Sequence, residues 1–338
     1  MQLSQLTTIG VGGPARELIT TTTEAELVES SLAAWSTGDE WFVLGGGSNV
    51  VIADEGFDGT VIHVATRGIE RVDAPGIRLR IQAGEPWDAV VGYTLDHGFS
   101  GIEALSGIPG SSGAAPIQNI GAYGQELASS LTAIDFLDYL TGDVSRLAAA
   151  ELELAYRSSA LKHGRRGVVV AIELALEEST TSVVKYEQLA SALGVSVGDT
   201  VSAAQVRETV LALRASKGMV LDPLDPDSVS CGSFFTNPIV SENFARSLPA
   251  HAPRWLEADD RNVKLSAAWL IEQAGVTRGF SLPGSGAAIS KKHSLAIVNR
   301  GGATAAQIAE LARFVKAVVL AQFGVRLQVE PVAVGLTI

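Results

Sequence analysis

An α+β chain of more than one domain is expected, and three observations predict it. The chain has 338 residues, more than one ordinary core accommodates. Short apolar strands and capped helical stretches alternate along it. Two glycine-rich loops interrupt that alternation, and each follows ordered-looking sequence. Apolar residues make up 46% and charged residues 18%, which excludes a disordered chain.

The first segment reads strand, helix, strand, loop, strand. Thr23 and Glu26 form a capping box, and Leu27, Leu32 and Ala33 give the following helix an apolar face. Residues 41–44 are a short buried strand that runs into Gly45-Gly-Gly-Ser-Asn, then into a second strand at 50–53. A third spans 60–65. A second segment starts near Arg67. Residues 78–81 alternate as a half-buried strand, and 86–97 read as a helix with proline in its first turn and Gly98 at its end. Residues 107–124 lack periodicity but are apolar and glycine-rich, so an ordered, packed loop is expected. Strands follow at 131–140 and 167–176, then a helix from the capping box Ser202-Ala-Ala-Gln205 to about Ser216. Two prolines and three aspartates make 221–230 a linker. Beyond it lies a mainly α+β segment with helices over 264–274 and from Thr304 to Gly324. A last strand over 325–334 is free to return to the second segment.

The net charge of −12 disfavours nucleic acid and anionic membrane as partners. A single cysteine, Cys231, excludes an internal disulfide and points to a reducing compartment. No signal-peptide pattern and no long apolar run is present. A cytoplasmic protein with no membrane insertion is therefore expected. His63, His97 and His251 are scattered, and no spacing suggests a metal site.

The glycine loops carry the chemistry. Tripled glycine after a buried strand lets backbone approach a ligand and aim several N–H groups at it, which suits a diphosphate. Ser48 and Asn49 add short donors. Taken alone, the loop is better explained by a tight turn between strands. The Rossmann fingerprint fails because Val50 stands where its third glycine belongs and a strand follows. No glycine cluster carries a Walker lysine. The second loop, Ile108-Pro-Gly-Ser-Ser-Gly-Ala-Ala-Pro-Ile-Gln-Asn-Ile-Gly-Ala-Tyr-Gly124, places four small residues together, then Gln118 and Asn119, whose amides are able to bond a heterocycle edge. A packed Ω-loop is the alternative for it; the two loops together favour a dinucleotide.

Leu-Gly-Gly-Gly-Ser-Asn-Val followed by Gly-Ile-Glu-Ala-Leu-Ser-Gly-Ile-Pro-Gly-Ser and Gln-Asn-Ile-Gly-Ala-Tyr-Gly resembles the FAD domain of UDP-N-acetylenolpyruvoylglucosamine reductases. That domain is of the vanillyl-alcohol-oxidase (PCMH) type. Ala155-Tyr-Arg-Ser-Ser159 with Lys162, Cys231-Gly-Ser-Phe-Phe-Thr-Asn-Pro238 and Leu327-Gln-Val-Glu330 extend the resemblance in the family's order. It implies a two-subdomain FAD module, with subdomains at 1–66 and 67–220, residues 327–338 returning to the second, and a substrate domain over 221–326. It also implies the reaction. NADPH reduces non-covalently held FAD, and hydride then passes to the enolpyruvyl methylene of a UDP-sugar, giving UDP-N-acetylmuramate for peptidoglycan. No obligate protein partner is implied. The alternative is another flavin oxidoreductase of this architecture acting on a hydroxy acid or phenol, against which the 231–238 motif argues.

The residues carry over by motif. Gly45, Gly46, Gly47, Ser48, Asn49 and Val50 form one half of the FAD contact. Ile108, Pro109, Gly110, Ser111, Gly113, Ala114, Gln118, Asn119, Gly121, Ala122 and Tyr123 form the other. Arg157 matches the catalytic arginine, whose fork holds a carboxylate; otherwise it is a surface ion pair, the fate expected of Lys162, Arg165 and Arg166. Ser233 matches the proton donor, or else is a serine bonded to backbone. Glu330 matches the catalytic glutamate, or else faces water at a strand end. Tyr186, Lys217 and Asn237 match substrate contacts, and for Lys217 a helix-dipole role is an equal reading. Trp255 stands where the family often has tyrosine, Arg278 replaces a lysine, and His293 replaces a glutamine. Val332 stands where an arginine is usual, and Gly-Met-Val lengthens the connection after Lys217.

Overall fold

A computed structural model describes residues 1–257 and 261–338. The chain gathers into two units: a central one of residues 15–47 and 58–216, and a terminal one of residues 1–14, 48–57 and 217–338. The division near 220 lies close to the expected one. The division at 66 does not: both chain ends and residues 48–57 belong together.

In the central unit, Phe57–Val64 lies between Ala15–Thr21 and Trp41–Leu44. Trp41–Leu44 runs parallel to it with Trp41 opposite Thr60. The connecting helix Glu24–Ser36 starts at the expected capping box, with Glu26 N–H donating to Thr23 Oγ1 at 3.2 Å. Leu27 and Ala34 on this helix pack with Ile62, Val64, Leu137, Val168 and Val170. The second sheet is antiparallel and runs in the order Val144–Ala148, Leu131–Asp138, Gly167–Glu178, Ile77–Gln82, Ile69–Arg71. Its middle strand is apolar without alternation because both faces are covered. Val168 and Val170 point into the core under Glu24–Ser36, whereas Val169, Ile172 and Leu174 join Trp87 and Val90 of the helix Trp87–Asp96. Pro86 caps that helix rather than sitting in its first turn. The helices Glu187–Leu193 and Ala203–Ser216 pack through Leu189, Ala190, Val206 and Val210.

The terminal unit is built around the helix Ala305–Phe323. Thr304 and Gln307 form its capping box and Gly324 closes it in the left-handed conformation. The Asp54 carboxylate adds bonds from the Ala305 and Ala306 N–H groups at 2.7 and 2.9 Å. Ile308, Leu311, Ala312 and Val315 bury its apolar face. Two small sheets complete the unit: Ser230–Ser233, Ala296–Asn299 and Ala287–Ile289; and Ile239–Ser241, Asn262–Leu265 and Arg254–Leu256.

Three expectations are corrected. The terminal strand does not return to 67–220: Val332–Val334 pairs in parallel with Val50–Ile52, which is why residues 48–57 leave the first segment. The helix expected over 264–274 begins only after Ser266, whose Oγ accepts the Trp269 N–H at 3.2 Å. Lys264 lies in a strand in which Val263 and Leu265 are buried alternately with their neighbours, a period of two. The linker expected over 221–230 is exposed at Leu221 and Leu224 but packs at its end: Asp227 is buried, and its carboxylate accepts the Lys291 N–H at 2.8 Å. Among the described residues no helix is long and apolar enough to cross a membrane.

Candidate functional site

The strand Trp41–Leu44 delivers the tripled glycine to the second glycine-rich loop, and within the central unit the two loops meet backbone to backbone. A Cβ on Gly46 would lie 2.7 Å from Gly110 Cα, and one on Gly45 would strike the Ser111 side chain. Gly47 adopts a left-handed φ of 61°. The second loop is ordered, as expected. It contains a short 3-10 turn, Ser112–Gln118, tied down by Ser112 N–H to Glu85 O and Gly113 N–H to Ala83 O, both at 2.8 Å. The small residues therefore let main chain touch main chain. They also leave a surface of peptide groups with few side chains, the form of donor surface that a diphosphate takes. This cradle fits a dinucleotide. Ser48, Asn49 and Val50 belong to the terminal unit, where Asn49 Nδ2 donates to Glu330 O at 3.3 Å and Asn49 O accepts the Val332 N–H at 2.9 Å.

Among the described residues four non-glycine residues have positive φ: Asn119, Tyr123, Glu153 and Arg157, at 45° to 52°. Such conformations cost on the order of 1–3 kcal/mol each and persist where surroundings over-determine them. Here the surroundings are visible. Arg157 donates from Nη2 to Gly121 O at 2.8 Å and from Nη1 to Asn119 O at 3.4 Å. Residues Ala155 and Ser158 close a turn through reciprocal backbone bonds of 3.1 Å, and Lys162 Nζ donates to Arg157 O at 2.9 Å. Lys162 is thus a strut of the arginine's own turn rather than half of a surface ion pair. Arg165 does pair with Asp138 at 3.7 Å, but Arg166 stacks on the Trp41 and Tyr139 rings.

Asn119 departs from the ligand-edge role. Its side chain donates to Glu126 Oε2 at 3.0 Å and Ala155 O at 3.2 Å, and accepts the Ala128 N–H at 2.9 Å. It is buried and binds the second loop to the arginine's turn. Glu103 is likewise buried, and it anchors the start of the loop by accepting from Gly101 N–H at 2.6 Å, Gln125 Nε2 at 2.7 Å and the Ser182 hydroxyl.

A second guanidinium stands in this neighbourhood. Burial lowers the Arg214 pKa to about 10, opposed by Tyr123 and Asp88 and reinforced by the positive charge of Arg157. Asp88 is held well ionised: Arg207 bonds both its oxygens, at 2.6 and 2.9 Å, and the Gly107 N–H adds a third contact. Tyr123 meets Tyr186 edge-on at 5.9 Å, and burial raises its phenol pKa. The charges of Arg157 and Arg214 thus act on one another, and Arg214 also acts on Tyr123 of the Tyr123–Tyr186 pair. Sequence reading passed over Arg214 because it sits inside the helix Ala203–Ser216.

In the terminal unit, Ser233 ends the strand Ser230–Ser233, and its Oγ lies 3.5 Å from His293 Nε2. Leu327–Glu330 runs beside the same motif: Thr236 N–H donates to Gln328 O and Glu330 N–H to Phe234 O, both at 3.0 Å. This pairing sets Glu330 opposite Phe234, the residue that follows Ser233. Asn237 Oδ1 accepts the Ala267 N–H at 3.0 Å, at the start of the helix Ala267–Gln273. Asn237→Ala should thus cost about 1 kcal/mol of stability by losing a helix-end bond. Denaturant unfolding monitored at a fixed wavelength checks it; an unchanged midpoint would leave Asn237 with no part in the fold. Lys217 is half-buried just past its helix. Trp255 is 52% exposed, and Arg278 pairs with Glu272 at 3.4 Å. The Cys231 thiol is pushed up to about 12 by burial, so it is no nucleophile. Among the described residues no group of three or more His, Cys, Asp or Glu side chains is placed to hold a metal.

The chain is similar to known proteins over nearly its whole length. Residues 222–334 match the model of the UDP-N-acetylenolpyruvoylglucosamine reductase C-terminal domain, and residues 15–148 match a FAD binding domain. A UDP-N-acetylenolpyruvoylglucosamine reductase of Leifsonia xyli subsp. xyli is 56% identical over 99% of this chain and 98% of its own length. One from Saccharopolyspora erythraea is 47% identical over 98% of this chain and 94% of its own. The crystal structure of UDP-N-acetylenolpyruvylglucosamine reductase from Thermus caldophilus superposes with a TM-score of 0.68 at 27% identity, covering 99% of this chain and 97% of that one.

Proposed function

The chain belongs to the UDP-N-acetylenolpyruvoylglucosamine reductase family, and on that premise we propose that it reduces the enolpyruvyl ether of a UDP-N-acetylglucosamine to UDP-N-acetylmuramate, with FAD as cofactor and NADPH as electron source. The observation that carries this reading is Arg157. It is held at φ 52° with its guanidinium on the carbonyls of the second glycine-rich loop, a strained placement that a surface ion pair does not need.

FAD supplies the hydride when bound, and the two glycine-rich loops of the central unit would hold it. Hydride arriving at the methylene carbon pushes an electron pair toward the substrate carboxylate. Arg157 binds that carboxylate through its guanidinium, and Arg214 adds positive potential nearby. Ser233 gives its hydroxyl proton to the neighbouring carbon. Glu330 acts on the developing enol. Tyr186, Lys217, Asn237, Trp255, Arg278 and His293 contact the sugar nucleotide, which assigns residues 217–338 largely to substrate. We also place the enzyme in the cytoplasm, acting without an obligate protein partner.

The test is direct. The purified protein should be yellow, and mixing it with NADPH and the enolpyruvyl sugar nucleotide should bleach the nicotinamide band. A colourless protein that cannot be reconstituted with FAD overturns the reading. Lys217→Ala should raise the substrate KM by about tenfold or more, the value of one charged hydrogen bond, with a smaller change in kcat. An unchanged KM assigns Lys217 to its helix end instead.

A further inference from the structure

Strand pairing places a histidine against the proposed proton donor. Ser230–Ser233 pairs with Ala296–Asn299 so that Ser233 lies opposite Ala296, and the Phe234 N–H donates to Leu295 O at 2.8 Å. The turn before that strand carries His293. It is pinned at both ends of its peptide: the His293 N–H donates to Ser290 Oγ at 3.2 Å, and His293 O accepts the Ala296 N–H at 3.1 Å. Its Nε2 then lies 3.5 Å from Ser233 Oγ, and both groups are half-buried.

The direction of this contact decides what Ser233 is able to do. A serine hydroxyl has one proton and two lone pairs. Were Nε2 to accept, that one proton would point at the imidazole and away from the substrate. With Nε2–H as donor, the oxygen accepts and the proton is left for the carbon. The same N–H then faces the oxygen as it becomes an alkoxide, which is where a fixed donor contributes most.

We propose that His293 is a positioning residue for proton transfer: its Nε2–H donates to Ser233 Oγ, turns the hydroxyl proton toward the substrate and stabilises the alkoxide left behind. The inference rests on the proton-donor reading of Ser233. In the step, bound reduced FAD would supply a hydride to the methylene carbon, and the carbon–carbon π pair would move toward the carboxylate. That pair then takes the Ser233 proton at the neighbouring carbon as the O–H bond breaks. The flavin is oxidised, the ether is reduced, and water returns a proton to Oγ before the next turnover.

The experiment follows the two half-reactions of the holoenzyme separately. Flavin is reduced with NADPH without oxygen, then mixed with the enolpyruvyl sugar nucleotide while its absorbance recovers. His293→Leu should slow recovery by about 100-fold, as expected for loss of a donor to a developing oxyanion, and should enlarge the solvent isotope effect. His293→Gln keeps an N–H donor and should recover the rate to within about tenfold of wild type, on the ordinary scale of one modest hydrogen-bond change. Independently of turnover, 15N NMR of the histidine rings in the chain should show His293 protonated at Nε2, with a shift in Ser233→Ala. Recovery at the wild-type rate in His293→Leu, a change confined to KM, or an Nδ1-protonated ring would each overturn the inference. Ser233→Ala separates its failure from that of the parent reading. If Ser233→Ala is blocked but His293→Leu is not, only the role of His293 falls. If Ser233→Ala also reoxidises normally, the reading of Ser233 falls with it.

Discussion

Ser233→Ala should stop substrate from reoxidising the flavin while leaving NADPH able to reduce it. The two half-reactions part because they use different groups. Reduction by NADPH requires hydride delivery to the flavin and no proton from serine. Reoxidation by the enolpyruvyl ether requires a proton at the carbon beside the one that receives hydride. A positioned general acid contributes on the order of 10²–10⁴-fold, so the reoxidation rate should fall by about 10³-fold or more. A hydroxyl is a weak acid, but the carbon it serves becomes a strong base once the electron pair arrives, so the transfer is downhill only in that complex. The substitution should hardly disturb folding: Ser233 is half-buried, and its strand is held by backbone pairing with Ala296–Asn299. Circular dichroism and flavin content should therefore match the parent protein. Anaerobic stopped-flow absorbance measures both rates. Reoxidation at the parent rate would remove Ser233 from the proton path.

Features set by local physics were legible in the sequence. The capping boxes at Thr23 and Thr304 and the glycine at 324 appear where their patterns put them, because a cap is a bargain among residues within one turn. Long-range pairing was not legible. Val332–Val334 is three residues long, and nothing in so short a strand specifies Val50–Ile52 as its partner. The helix expected from Lys264 shows a related failure. Four residues of alternation were absorbed into the helical pattern that follows them, and the serine cap at 266 was passed over.

The candidate site divides in the same way. Its residue types were readable from motif, but the work of individual atoms was not. Asn119 looked like a ligand-facing amide and is instead spent on Glu126, Ala128 and Ala155. Lys162 looked like a surface cation and instead supports the arginine's turn. In the sequence Arg214 is one more polar residue of an amphipathic helix, and burial and neighbouring charge single it out once the helix is packed. Hydrogen-bond partners at large sequence separation are properties of the fold, so a list of residue types leaves them open.

Arg157→Lys should abolish most turnover even though it keeps the charge. The parent guanidinium donates to Asn119 O and Gly121 O, and in the proposed reaction it also has to fork onto the substrate carboxylate. A lysine ammonium is a point charge on a flexible stem. It is able to satisfy the carbonyls or the carboxylate but does not span both as a fork. The carboxylate gains charge as hydride arrives, so the lost contact is worth more in the transition state than in the ground state. The kcat should fall by about 10²–10³-fold, the range measured for removal of one preorganised donor to a developing oxyanion, with a smaller change in KM. Lysine at this position must also adopt the left-handed φ of 52°, as arginine does, so backbone strain is equal in the two proteins and does not confound the comparison. Loss of the two carbonyl bonds should lower stability by about 1–2 kcal/mol, readable as a shift in Tm. Steady-state kinetics with thermal unfolding separates the two effects. A lowered Tm with kcat preserved would make Arg157 a brace for the 119–121 turn, and would move the search for the carboxylate's partner to Arg214.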